Sequence, residues 1–342
     1  MSQASQSVIP KGSTVLVTGA NGFIGSHVAD QFLKHEFRVR GTARSSEKLQ
    51  WLVNLFNRKY GEEKFEAAVV ADMSGDGAFN QVVKGVSAVI HTAASFTMNP
   101  NPHDVIPGMI KGTMEALEAA SEEPSVKRFV LTSSSSAALI PKPNDPVTVT
   151  VDTWNDSTVQ IAYRDPPYEP ERAYPVYAAG KTLAEKEAWI FMREKKPGFE
   201  MNTVLPNLTL GASLDPINQG HPSTSGFLAA LFKGDTSYLA FLPPQYFVDV
   251  EDVGLLHVAA ATLPHVISER IFAFAEPQNG NDILAALRRL YPDRSFPADF
   301  QAGKDLSDIV PRQRAEALLR EMGKDGWTKL EESIKRNTSD LI

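Results

Sequence analysis

Tyr177 and Lys181 stand four residues apart at the start of a segment with helical composition, in a chain of 342 residues. That spacing places a phenol and an ammonium on one helical face, where the positive charge favours the phenolate. Such a phenol can act as general acid toward a carbonyl oxygen while hydride arrives at the carbonyl carbon. A serine hydroxyl at the edge of a sheet would hold the same oxygen, and four consecutive serines, Ser133 to Ser136, follow a strand-like run. Spacing alone is weak evidence. Tyr60 and Lys64 repeat it around Gly61, at a helix-to-strand junction before any serine cluster, where no such chemistry is expected. Order distinguishes the later pair: a glycine turn, then strand-end serines, then Tyr-x-x-x-Lys on the next long helix. The plain alternative is a core aromatic at Tyr177 and a solvated charge at Lys181.

A hydride source is indicated near the start of the chain. Val15 to Thr18 reads as a buried strand, Gly19, Gly22 and Gly25 follow, and an apolar pattern of helical spacing continues to about Lys34. Strand, glycine turn and helix form the phosphate-binding start of a dinucleotide fold. Gly19 permits a tight turn, Gly22 lets backbone approach a pyrophosphate, and Gly25 lets helix pack close on strand. Asn21, Phe23 and Ile24 complete the turn, whose helix N-terminus offers N–H groups to phosphate. The spacing is Gly-x-x-Gly-x-x-Gly rather than the commoner Gly-x-Gly-x-x-Gly, so an ordinary glycine-rich turn is the alternative. With a nicotinamide beside Lys181, bringing Tyr177 near neutrality would take about three pH units, or roughly 4 kcal/mol.

The elements that must position these groups alternate. Phe37 to Thr42 reads as a second strand, with Arg38 and Arg40 on one face, and its tip is where such folds read the adenosine ribose. No acid stands there before Glu47. Arg44 can offer a bidentate fork to a 2′-phosphate and Lys48 a second charge one turn later, which favours NADP over NAD. The third strand, Lys64 to Val70, ends near Asp72 and Met73. There a carboxylate could reach the adenine amino group and a thioether could pack on its ring, or Asp72 could cap the turn Ser74 to Gly77. A fourth strand, Ser87 to His91, ends in Thr92 and Ala93, small enough for ribose and nicotinamide to lie against backbone; His91 reads as a packed core residue. Val105 to Ala120 is helical, and Val126 to Thr132 is a fifth strand running into the serines.

These features all follow strand ends, where open parallel sheets bind ligands. The expected fold is α/β, a Rossmann-type doubly wound parallel sheet with a smaller, mostly C-terminal substrate-binding region. Residues 1–210 form the dinucleotide-binding domain, with an irregular excursion over about 141–175, then a helix Val176–Glu194 led by Pro175 and a sixth strand Asn202–Leu205. Residues 211–342 form mainly the substrate region, with some elements returning to the sheet. Helices are expected there at Ser223–Lys233, Val250–Thr262, Asp282–Leu290, Arg312–Met322 and Trp327–Arg336, with a strand at Arg270–Ala275.

Bulk properties narrow the partners. The composition is 42% hydrophobic and 22% charged, with mean hydropathy −0.20. Lys and Arg number 34 against 41 Asp and Glu, for a net charge of −7, so no basic character points to nucleic acid. There are no cysteines, which excludes disulfides, thiolate nucleophiles and cysteine-ligated metals; no metal site is read at all. The first ten residues are polar and no apolar run is long enough to span a bilayer, so a cytoplasmic protein without a membrane partner is expected.

Thr18-Gly-Ala-Asn-Gly-Phe-Ile-Gly25, Leu131-Thr-Ser-Ser134 and Tyr177-Ala-Ala-Gly-Lys181 resemble the extended short-chain dehydrogenase/reductase superfamily. Within it, Arg40-Gly-Thr-Ala-Arg-Ser45, Val126-Lys-Arg-Phe-Val-Leu-Thr-Ser-Ser134 and Leu205-Pro-Asn207 are similar to the dihydroflavonol-reductase-like branch, and most of all to its fungal aldehyde and carbonyl reductases. The resemblance implies NADPH-dependent reduction of an aldehyde or ketone to an alcohol by a Ser134, Tyr177 and Lys181 triad. It implies that Lys181 also binds the nicotinamide ribose and that Pro206 lies against the cofactor. It places Ser134 as the second serine of the family's Thr-Ser-Ser, with Ser133 and Ser135 as neighbouring candidates. Substrate contacts are expected from Phe96, Tyr174, Thr209 and the segment 241–247 with Gln245. Gly180 departs from the Ser or Thr common in the branch, which would loosen local cofactor contacts.

Two other functions fit the scaffold. A sugar-nucleotide epimerase or dehydratase would favour NAD and, among dehydratases, Thr-Asp-Glu where this chain has Thr132-Ser-Ser. A non-catalytic NADP sensor would lack the Tyr–Lys pair.

Overall fold

The computed structural model describes residues 7–94, 97–240 and 242–342. Phe96, expected to face substrate, and Phe241, the first residue of the 241–247 segment, lie outside the described residues. Up to Thr132 the chain alternates β1 (Thr14–Thr18), α1 (Phe23–Lys34), β2 (Arg38–Ala43), α2 (Glu47–Tyr60), β3 (Phe65–Val69), β4 (Ala88–His91), α3 (Pro102–Glu122) and β5 (Arg128–Thr132). Along β1, Val15 and Val17 enter one core with α1 and α2, whereas Leu16 enters the other with α3. A pleated strand sends successive side chains to opposite faces, so a run of apolar residues is what a sheet covered on both sides requires. Fully burying each such side chain stabilises the fold by about 2 kcal/mol.

Beyond β5 come β6 (Thr148–Val149), α4 (Asp156–Ala162), α5 (Ala173–Lys195), β7 (Glu200–Pro206) and β8 (Leu208–Leu210). They are followed by α6 (Thr224–Phe232), β9 (Gln245–Asp249), α7 (Val250–Thr262), β10 (Arg270–Ala273), β11 (Glu276–Gln278) and α8 (Gly280–Leu290). The chain ends with β12 (Asp308–Ile309), α9 (Arg312–Glu321) and α10 (Leu330–Thr338). Seven strands form the main sheet in the order β10-β7-β5-β4-β1-β2-β3, and every pairing is parallel. Strand order reverses between β1 and β4, which opens a crevice at their carboxyl ends. A smaller sheet, β11-β9-β8, stands apart from it. Among the described residues no helix is long and apolar enough to cross a membrane.

Several boundaries differ from expectation. The excursion at 141–175 is not wholly irregular: it contains α4, and β6 pairs in parallel with β12, Thr148 opposite Asp308. A two-residue strand and a seven-residue helix are too short to show periodicity. Helix α5 begins at Ala173, so Pro175 lies within its first turn, where a missing N–H breaks no bond. α10 begins at Leu330 rather than Trp327; before it, the Thr328 N–H donates to buried Asp252 at 2.8 Å. From the later chain, β10 joins the main sheet as its edge and α7 packs into the core shared with α1.

Candidate active site

The glycine turn leaves β1 with Gly19 at φ +65°, in left-handed space where a side chain would also press on Ala93. At Gly25 the reason is close approach: a Cβ there would fall 2.3 Å from the Gly19 carbonyl oxygen and 2.8 Å from Thr92 Oγ1. The ends of β1 and β4 are laced together, Ala93 N donating to Thr18 Oγ1 at 3.1 Å and Thr92 Oγ1 to the Thr18 carbonyl. Phe23 and Ile24 turn their side chains into the protein, leaving only backbone for a ligand. The N-cap of α1 is Gly22, no side chain caps it, and its first turn holds no acid. Its leading N–H groups therefore suit an outside anion. A dinucleotide pyrophosphate fits this cradle.

Arg44 and Lys48 are exposed at the tip of β2 and the first turn of α2, and among the described residues neither forms an ion pair. Lys48 lines an open cleft of about 690 Å³ together with Asn21, Gly22, Trp51, Arg58 and Gln219. Asp72 is exposed and its carboxylate accepts from Ser74 N at 2.9 Å and Ser74 Oγ at 2.7 Å, which holds it below the usual carboxylate range. Of the two readings of Asp72, the structure displays the turn cap. Met73 packs on α3 at Gly112, where a Cβ would meet its Cγ at 3.0 Å.

One strand beyond the crevice, β5 delivers the serines to α5. Ser134 caps the start of the 3₁₀ turn Ser135–Ala137 and shares a hydrogen bond with Tyr177; its Oγ accepts from Ser136 N at 3.2 Å and Ser136 Oγ at 2.9 Å. Ser133 is turned the other way, its hydroxyl donating to buried Glu185 at 2.6 Å. Lys181 is buried and donates to the Thr132 carbonyl at 2.8 Å. Ser134, Tyr177 and Lys181 are thus brought together by the end of one strand and the first turns of one helix.

Burial dominates the proton states of the pair. Burial holds the Tyr177 phenol above its ordinary range, and the Ser134 hydrogen bond only partly opposes this. Burial also pushes Lys181 down to about 8, against the attraction of Glu185. Desolvation of a charged phenolate is the larger influence on Tyr177, and the Ser134 hydrogen bond the smaller.

Tyr174 is exposed and stacks on Tyr177, ring centroids 6.1 Å apart. Thr209 and Gln245 bond locally instead, to the carbonyls of Asn207 at 2.9 Å and Pro243 at 3.3 Å. Pro206 is buried at the end of β7. Gly180 faces α3, where a Cβ would sit 2.5 Å from Met109 Sδ, so its smallness serves helix packing. His91 is a core residue, bonded to Thr18 Oγ1 at 3.1 Å and held neutral by burial at about 3. The pair Tyr60 and Lys64 forms no site: Tyr60 donates to Asp30 at 2.8 Å.

Two contributors escaped sequence reasoning. Glu185, four residues after Lys181, carried a signal in its helical spacing. Gln219 carried none. Its side-chain amide reaches from the segment after β8 to the carbonyls of Asn21 at 3.3 Å and Gly22 at 3.2 Å and to Ser26 Oγ at 3.0 Å.

Comparison with known proteins gives the chain a family. The sequence profile of the NAD dependent epimerase/dehydratase family matches residues 15–268. Aldehyde reductase 2 of Sporidiobolus salmonicolor is 46% identical over 338 residues, covering 98% of each chain. Ketoreductase adrE of Penicillium rubens is 42% identical over 341 residues, again covering 98% of each. Among solved structures, yeast methylglyoxal/isovaleraldehyde reductase complexed with NADPH superposes with a TM-score of 0.81 at 26% identity, covering 96% of this chain and 98% of that one.

Proposed function

The chain belongs to the NAD-dependent epimerase/dehydratase family, and from that premise we propose that it reduces an aldehyde or ketone to an alcohol with NADPH. The observation that carries this reading is the convergence of Ser134, Tyr177 and Lys181 beside the crevice of a dinucleotide cradle. A bound nicotinamide supplies the hydride. The protein's own part is to bind, orient and protonate. Tyr177, kept protonated by burial, donates its proton to the carbonyl oxygen as negative charge develops there. Ser134, whose oxygen accepts from Ser136 and whose hydroxyl meets Tyr177, turns its O–H to that same oxygen when a carbonyl lies between them. Lys181 would stabilise the tyrosinate left behind and bind the nicotinamide ribose.

The choice of NADPH rests on Arg44 and Lys48, two exposed cations where a 2′-phosphate would lie, and on the NADPH carried by the yeast structure. The full-length resemblance to two reductases favours carbonyl reduction over a sugar-nucleotide reaction. Residues 211–342 are assigned mainly to substrate binding, with Tyr174 flanking the reacting carbonyl from α5. Purified protein given an activated ketone and NADPH should consume the nucleotide in step with alcohol formation, far faster than with NADH. Absence of ketone-dependent NADPH oxidation would overturn the reading.

A further inference from the structure

Glu185 lies one turn beyond Lys181 on α5 and is fully buried. Four side chains donate to its carboxylate. Ser133 Oγ donates at 2.6 Å, Thr203 Oγ1 and Arg270 Nε at 2.9 Å each, and Trp189 Nε1 at 3.3 Å. Arg270 is fixed in turn: its guanidinium lies 3.8 Å over the Trp154 ring and donates to the carbonyls of Val151 at 2.6 Å and Thr153 at 2.8 Å. Replacing a buried ion pair by apolar packing is often neutral or stabilising, because desolvation offsets the attraction. Stability alone is therefore a poor account of why a charge sits there.

Its neighbours give a better one. Ser133, which Glu185 holds, lies between Thr132, whose carbonyl receives Lys181, and Ser134, which meets Tyr177. We propose that Glu185 is a positioning residue for the reduction: it anchors the strand end 132–134 through Ser133 and supplies the negative charge that keeps Lys181 cationic. The inference rests on Tyr177 and Lys181 being the proton-donating pair.

The surroundings of Lys181 support the second role. On α5 it is flanked by Tyr177 and Glu185; from the sheet, His91 on β4 senses its charge, and His257 on α7 bonds Thr132 Oγ1 at 2.8 Å. Burial lowers His91 to about 3 and His257 to about 4, so both are neutral at working pH. Arg270 on β10 is spent on Glu185 and the 151–153 carbonyls. That leaves the Glu185 carboxylate as the charge opposing desolvation of Lys181.

The test is the pH profile of kcat/KM for ketone reduction. In Glu185→Gln, loss of the negative charge favours neutral Lys181, so the alkaline limb should move down by about one pH unit. Turnover at neutral pH should fall about tenfold as the serine anchor weakens. Glu185→Asp keeps the charge and should restore the limb to its wild-type position. Because Glu185→Gln leaves Arg270 unpaired in the interior, the double variant Glu185→Gln/Arg270→Met is measured beside it and should show a smaller shift in the same direction, since it removes a positive charge as well. Wild-type limbs in both charge-removing variants would overturn the proposal, even with turnover reduced. A wild-type enzyme without NADPH-dependent reduction would instead overturn the reading beneath it.

Discussion

Tyr177 and Lys181 share a helix face but answer to different oxygens, the phenol to Ser134 and the ammonium to the Thr132 carbonyl. Division of labour follows from burial. The phenol is kept protonated, which is the form a proton donor needs, and the lysine at about 8 loses its charge only above neutral pH. At the far end of the crevice, Arg44 is exposed and unpaired among the described residues, so removing it should leave the fold intact. Arg44→Asp should cut the kcat/KM preference for NADPH over NADH by about 10- to 100-fold, the worth of charge-assisted bonds to a phosphate. An unchanged ratio would remove the 2′-phosphate role. These residues were legible because each carries a chemical type at a recurrent spacing. The burial of Tyr177 was not, since desolvation depends on which side chains surround it in three dimensions.

At the scale of elements, the turn from β1 into α1 works because helix and strand nearly touch. Gly25→Ala would drive a methyl to 2.3 Å from the Gly19 carbonyl oxygen, a contact that backbone must relieve by moving. We expect a stability loss of about 2 kcal/mol by denaturant melt and NADPH affinity weakened more than about tenfold, since the displaced backbone is the phosphate cradle. A normal dissociation constant would show that the cradle tolerates the shift. The parallel strands and long helices were legible from apolar runs and 3.6-residue periodicity. Helix α4 and the β6–β12 pair were not, because they are held by the partners they meet: Arg270 binds the carbonyls of Val151 and Thr153, and β12 arrives from residue 308. Gln219 shows the same limit, bonding the glycine turn across 197 residues of sequence.

Across the whole molecule, neutral histidines buried beside the sheet make folding pH-dependent. His91 and His257 have folded pKa values near 3 and 4 against about 6.5 when unfolded, so their contribution is complete above pH 6.5 and declines as pH falls. Buried Asp249, raised to about 6, acts in the opposite sense over the same window and offsets part of the loss. The net effect between pH 7 and pH 5 should be a loss of about 3 kcal/mol, read from urea unfolding at the two values. Equal stability would mean that these sites admit water or a counter-charge. The molecule's division of labour was partly legible: the dinucleotide half announces itself, whereas α7 and β10, from beyond residue 211, belong to the main core and sheet. Their apolar sequences suit either location, and only the sheet order decides.

The central claim is that the sheet and α5 assemble a proton donor at Tyr177 for a carbonyl reduced by NADPH. Its most direct test is Tyr177→Phe, which removes one oxygen and leaves the ring that packs against Tyr174. NADPH binding, followed by nucleotide fluorescence, should stay within about threefold of wild type, while ketone turnover should fall by about 1,000-fold or more. Full turnover in the phenylalanine variant would contradict the account.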